Sequence, residues 1–261
     1  MRDSWQSGNS YETFMGRWST RVAQKFLNWL AIPPSCQWLD VGCGTGSLTK
    51  LILETCSPKE VVAIDSSSEF VAYAQRRIPS PLVHFLVGDA QSLEIKSNSI
   101  DAVVSGLVLN FVPQPEVAVA EMLRVTKPNG KIGIFVWDYA VGMEMLRYFW
   151  DAAVELDSSA WEFDEGVRFP LCEQRQLESL VQRAGLKEVK TVPIEVTTVF
   201  QNFDDYWLPF LGTVGPAPGY IMGLTHEARQ RLEEKLRQLL PAGQNGLISL
   251  RARAWAVQGT A

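Results

Sequence analysis

The sequence predicts an α/β fold, a largely parallel sheet with helices on both faces, and three observations carry that prediction. Short, near-continuous apolar runs recur along residues 37–137: QWLDV, EVVAI, LVHFLV, IDAVVS and KIGIFVW. Segments of helical periodicity alternate with them. A glycine-rich turn, LDVGCGTGSLT (residues 39–49), joins the first run to the first of those helices. Strands covered on both faces lose the apolar–polar alternation of a half-exposed strand, and strand–helix alternation marks crossover units.

Taken in order, Ser19-Thr20 caps a helix to about Ala31, with Val22, Phe26 and Leu30 at helical spacing and Pro33-Pro34 ending it. The strand 37–41 and the glycine turn lead to a helix over 48–56. A strand over 60–64 closes at Asp65, and Ser66–Ser68 start a helix to about Ile78. The strand 82–87 ends at Gly88-Asp89, and within it His84 is expected in the core. The strand 100–105 follows. Pro115 opens a helix that stops at a turn, KPNG (127–130), before the strand 131–137. Residues 139–172 read as a long helical insertion and 173–184 as another helix. Extended runs at 186–200 and 246–259 bracket an aromatic, Gly/Pro-rich segment and a charged amphipathic helix, HEARQRLEEKLRQLL. The whole reads as a single domain, 1–261. It has an N-terminal lid (1–31), a ligand-binding core (35–138) and small helical cap insertions (139–172 and 201–243).

Composition narrows the partners. The 261 residues carry a net charge of −5 and no block of Lys or Arg, a poor match for a nucleic-acid backbone or an anionic membrane and a better one for a small molecule. No apolar run approaches the roughly 20 residues of a membrane span. The polar start, MRDSWQSGNS, has no apolar leader, so a cytoplasmic location is expected. Four cysteines with no C-x-x-C pair, and two histidines, argue against disulfides and against a metal site.

The glycine turn implies a nucleotide, and its neighbours say which. A dinucleotide fingerprint has a third glycine where this chain has Ser47. Asp40 precedes the glycines, where a pyrophosphate would sit beside a helix N-terminus that favours anions. Further acids end the second and third strands, Asp65 and Asp89. Three carboxylates and no cationic cluster suit a ligand with an adenosine and an ammonium group, S-adenosylmethionine.

The segments WLDVGCGTGSLT, VVAIDSS, VHFLVGDAQSL, IDAVVSGLVLNFV and EMLRVTKPNGKIGIFVW, in that order over about residues 35–137, resemble the class I SAM-dependent methyltransferases. The similarity is to the broad group of ubiquinone/menaquinone-biosynthesis C-methyltransferases. The resemblance implies a Rossmann-like seven-stranded sheet with one reversed strand, the late extended pair supplying that end. It also implies roles. Gly42, Gly44 and Gly46 let the backbone approach the methionine and ribose, and Asp40 orients the loop and ammonium side. Asp65 grips the ribose hydroxyls, with Ser66 beside the adenine. Asp89 meets the adenine amino group, with Ala90 nearby. Ser105, Gly106 and Leu107 lie along the methionine part. Tyr11 covers the cofactor and Arg17 pairs with its carboxylate. S-adenosylhomocysteine is the product.

Methyl transfer from a sulfonium needs proximity more than a catalytic triad. Asp138, Tyr139 and His226 are the only candidates for a base, with structural roles weighed against each. Aromatic residues crowd segments 11–18, 139–172 and 201–224, suiting a flat or apolar acceptor, although Met145, Phe149 and Trp150 sit at core spacing. Two other classes stay open: a non-catalytic SAM-binding regulatory or scaffold module, and an NAD-dependent oxidoreductase. The sequence leaves the acceptor, the atom methylated and the oligomeric state open.

Overall fold

The computed structural model describes residues 16–212 and 215–261. They divide into two compact units. One comprises Ser19–Val136, Leu171–Ile194 and Ala254–Ala261; the other comprises Trp137–Pro170, Glu195–Arg253 and, of the N-terminal stretch, residues 16–18.

The first unit follows the expected alternation. Helix α1 (Arg17–Leu30) buries Val22, Phe26 and Leu30, and Phe26 packs on Phe135 at 4.7 Å. Then come β1 (Gln37–Val41), α2 (Ser47–Thr55), β2 (Glu60–Asp65), α3 (Ser68–Arg77), β3 (Val83–Val87), β4 (Ile100–Gly106), α4 (Pro115–Val125) and β5 (Thr126–Trp137). Ser67 caps α3 by accepting from the Phe70 N–H, and Pro115 opens α4 where a missing N–H costs nothing. Further along come α5 (Glu144–Leu156), the single turn α6 (Glu165–Arg168), α7 (Gln174–Arg183), β6 (Lys187–Phe200), α8 (Phe203–Trp207), α9 (Pro216–Met222), α10 (His226–Leu239) and β7 (Ile248–Thr260), with short 3-10 turns among them.

The sheet has seven strands in the order β3-β2-β1-β4-β5-β7-β6. β1 is parallel to β2 and β4, β2 to β3, and β4 to β5. β7 runs against β5: Asn129 donates to the Ala261 carbonyl at one end, and Asp138 to the Arg253 carbonyl at the other. That is the reversed strand. Leu39, Val41, Val103, Ile132 and Val136 form the sheet's contribution to a core completed by Val119, Met122, Leu177 and Val181 from α4 and α7.

Two expectations are corrected. His84 is not in the core: its side chain is 57% exposed and meets Glu60 at 3.0 Å. β3 is an edge strand; Phe85 and, in part, Val83 turn inward, leaving Leu86 and Val87 exposed with His84. The KPNG stretch is not a turn before the strand but a bulge inside it. Ile100 pairs with Thr126 and Ala102 with Lys131, so β5 carries three extra residues there, with Asn129 at φ 66°.

The second unit packs its own aromatic core. Phe149 stacks on Phe210 (4.7 Å, 6° between planes), Trp150 and Tyr220 lie edge to face with Phe149, and the buried Tyr206 hydroxyl donates to the Met145 carbonyl at 2.9 Å. Met145, Phe149 and Trp150 are all buried, as their spacing implies. Within this core the Trp150 indole N–H donates to the Glu165 carboxylate, and Arg147 pairs with Asp164. Burial pushes the Glu165 carboxyl up to about 7, with the Trp150 hydrogen bond opposing. An acid whose folded pKa is raised binds its proton more tightly in the native state. Its favourable contribution is therefore present below the unfolded value, near pH 4.5, and is lost as pH rises towards 7. Glu165→Gln keeps an acceptor for Trp150 and removes the titration. Urea unfolding should show it more stable than the parent by up to about 3 kcal/mol at pH 8, with no gain at pH 4.

Candidate functional site

The candidate site lies at the C-terminal ends of β1, β2 and β4, and the strand order reverses between β1 and β4, the place where open α/β sheets bind their ligands. The loop after β1 is anchored by two hydrogen bonds into β2, from the Gly42 and Cys43 N–H groups to the Ile64 carbonyl (2.7 and 2.9 Å). Gly42, Gly44 and Gly46 all have left-handed φ, +77°, +52° and +85°. Their surroundings differ. A Cβ on Gly42 would lie 2.4 Å from a Val108 methyl and one on Gly46 2.6 Å from Ile78, whereas a Cβ on Gly44 would meet nothing within 4 Å among the described residues. Gly42 and Gly46 serve packing; Gly44 presents bare backbone to open space.

Asp65 organises this loop. One carboxylate oxygen accepts from the Gly44 N–H (2.8 Å) and the other from the Ser67 N–H (2.9 Å), leaving lone pairs on both. Burial raises its pKa while these two donors oppose the rise. Asp40, at the end of β1, is 1% exposed. Its Oδ2 accepts from the Thr49 hydroxyl at 2.6 Å, and its Oδ1 is buried with no hydrogen-bond partner among the described residues. Burial raises the Asp40 carboxyl to about 7, the Thr49 hydrogen bond opposes this, and the charge of Asp65 adds to it.

At the end of β4, Ser105 is fully buried and its hydroxyl donates to the Val41 carbonyl, so it ties β4 to β1. Gly106 leaves room for Phe135, which a Cβ would approach to 2.6 Å. Leu107 sits at φ 65°, its N–H bonded to the Phe135 carbonyl at 2.7 Å. A left-handed non-glycine residue costs of order 1 kcal/mol or more, and such strain clusters at functional sites. Asp89 is exposed after β3, and its carboxylate accepts from both the main-chain and side-chain N–H of Gln91 (2.8 and 3.1 Å). Ser66 is exposed beside Asp65 and Ala90 is half-buried beside Asp89.

These residues therefore come together in one unit: Asp40, the three glycines, Asp65, Ser66, Asp89, Ala90 and Ser105–Leu107. Of the other named residues, Arg17, Asp138, Tyr139 and His226 belong to the second unit. Tyr11 lies outside the described residues. Arg17 is engaged within the second unit, where it donates to Asp205 at 3.0 Å and lies over the rings of Trp18 (4.4 Å) and Phe200 (4.9 Å). Asp138 is 1% exposed and ion-paired to Arg253 (2.6 Å) while accepting from the Val141 N–H, so its oxygens are already committed. Tyr139 is buried against Phe169. His226 is exposed in the first turn of α10, after the Thr225 cap. Two residues were not singled out from the sequence. One is Val108, whose contact with Gly42 required the folded β4 turn. The other is Thr49, whose signal was a buried polar residue between Leu48 and Leu51 on the inward face of a helix.

The donor set fits a ligand with an ammonium group and a ribose. It offers a buried unpaired carboxylate oxygen, a second carboxylate with free lone pairs, and a glycine open to close approach. It does not fit a pyrophosphate, which Asp40 and Asp65 would repel.

Comparison with known proteins agrees with this reading. Residues 39–134 match the family model described as a methyltransferase domain. Over 99 residues the chain is 40% identical to a demethylmenaquinone methyltransferase of Renibacterium salmoninarum, covering 38% of this chain and 40% of that protein. It is 33% identical over 180 residues to a 37.1 kDa protein in a transposon of Streptomyces fradiae, covering 67% and 50%. The chain thus spans half or less of these relatives. A phosphoethanolamine N-methyltransferase 2 of Haemonchus contortus, solved with S-adenosyl-L-methionine, shares the fold with a TM-score of 0.62 at 16% identity, covering 97% of this chain and 56% of that one. Fold, glycine loop and domain match together place residues 39–134 among the class I SAM-dependent methyltransferase domains.

Proposed function

We propose that this protein holds S-adenosylmethionine in the loop after β1 and transfers its methyl group to oxygen, carbon or nitrogen of a small metabolite of apolar or aromatic character. The observation that carries the cofactor reading is the buried, unpartnered Asp40 Oδ1 beside an open Gly44. Asp40 supplies a negative charge for an ammonium group, Asp65 supplies acceptors for two hydroxyls, and Asp89 supplies one for an amino group once Gln91 is displaced. S-adenosylmethionine brings a methyl already activated by positive sulfur, so the chain's part is to orient it and exclude water from the crevice. No residue on this account needs to act as a base. Asp138, the acid nearest the end of β5, is neutralised by Arg253.

The small-molecule acceptor rests on an acidic chain without basic runs. A cytoplasmic setting suits its four free cysteines. The reading is tested by incubating the protein with methyl-labelled S-adenosylmethionine and fractions of a metabolite extract. Label should pass into a small organic product with matching release of S-adenosylhomocysteine. Binding without label transfer in any fraction would favour a non-catalytic module.

A further inference from the structure

We infer that Thr49 is a positioning residue for the ammonium end of the cofactor, acting through Asp40; the inference rests on the cofactor reading above. Thr49 sits in the first turn of α2 and is fully buried. Two other threonines, at the ends of helices, spend their hydroxyls on the carbonyl four residues back: Thr55 on Leu51 at 2.7 Å, and Thr126 on Met122 at 2.6 Å. Thr49 instead donates sideways to Asp40 Oδ2 at 2.6 Å. A carboxylate can rotate about its last bond, and a single fixed partner on one oxygen sets the direction of the other. Thr49 thereby holds the unpartnered Oδ1 in one orientation.

The same bond bears on the charge of Asp40. Burial and the neighbouring Asp65 favour the neutral acid, and the Thr49 hydroxyl is the strongest influence favouring the carboxylate, with the Thr49 N–H adding to it. The other titratable group facing the pair is the Cys43 thiol, which burial and both aspartates keep protonated. A β-branched side chain is not a strong helix former, so propensity alone does not explain its place. The consequence is specificity: Thr49 tunes recognition of the amino-acid end of the ligand and leaves the nucleoside end alone.

The test compares two ligands by calorimetry, S-adenosylhomocysteine and 5′-methylthioadenosine, the same nucleoside thioether without the amino-acid end. Thr49→Val keeps the shape and the main-chain N–H and removes the donor. It should weaken S-adenosylhomocysteine about tenfold near pH 7.5, as expected for losing a charge-assisted hydrogen bond, and change methylthioadenosine less than about twofold. Thr49→Ser should restore the parent's preference. Acidification should weaken S-adenosylhomocysteine in the parent as Asp40 takes up a proton, and in Thr49→Val that fall should begin at higher pH. Should Thr49→Val melt early, Thr49→Ala serves in its place. Equal loss for both ligands, or an unshifted pH profile, would overturn the inference and leave Thr49 a packing residue. A parent protein that binds neither ligand would instead remove the cofactor reading, and this inference with it.

Discussion

Asp65→Ala should weaken S-adenosylhomocysteine binding by roughly 10- to 100-fold while lowering stability little. Two effects oppose each other in the empty protein. The substitution removes two charge-assisted hydrogen bonds, to the Gly44 and Ser67 N–H groups, each worth about 1.5–3 kcal/mol. It also relieves the cost of a largely buried carboxylate, the cost visible in the raised pKa of Asp65. The bound state has no such compensation: the ribose loses its acceptors and the Gly44 loop loses its anchor. Asp65→Asn, which keeps one acceptor oxygen, should lie between the two. Calorimetric titration beside thermal melting separates the effects, and a large drop in melting temperature with unchanged affinity would show that Asp65 is there for the fold.

The glycines provide the second large effect, because the structure separates their jobs. Gly42→Ala forces both a left-handed alanine and a methyl into Val108, a combination expected to cost about 2–5 kcal/mol of stability. For a chain of this size that is a fall in melting temperature on the order of 10 °C. Val108→Ala in the same molecule should recover part of it, since the methyl it meets is removed. Gly44→Ala has no clash to make and should cost about 1–2 kcal/mol from its φ alone. Yet its methyl enters the space a ligand would use, and S-adenosylhomocysteine affinity should fall more than about tenfold. The pair inverts the usual coupling of stability and binding. If Gly44→Ala bound normally, the open face of that loop would not be the ligand's.

Much of the core was legible because its signals are local. Apolar runs at strand length, the glycine turn and the acids that end β1 and β2 are adjacent in sequence and adjacent in space. What was not legible depends on partners far along the chain or on which strand has a neighbour. Arg17 and Asp205 lie 188 residues apart, and no spacing rule brings them together. His84 has the alternation of a half-buried strand, and only the sheet order shows β3 at an edge with its outward face uncovered. The KPNG stretch has the composition of a turn, and its absorption into β5 follows from pairing with β4 on one side and with the chain's last residue on the other. The aromatic richness of 139–172 and 201–224 suits a flat or apolar acceptor, and helical spacing marks only Met145, Phe149 and Trp150 in it as core. Tyr206 and Phe210 are buried together with Phe149 and Trp150, because large rings in a small unit are an effective way to give it a core. The backbone of Leu107 could not be anticipated, since its left-handed conformation has no glycine to announce it.

The most direct test of the central claim is a parallel titration of the unmodified protein with S-adenosylmethionine and with NAD⁺. The carboxylates of Asp40 and Asp65 should accept the first, with saturable one-site binding, and repel the pyrophosphate of the second, with no measurable heat. Saturable NAD⁺ binding, or no binding of S-adenosylmethionine, would contradict the account.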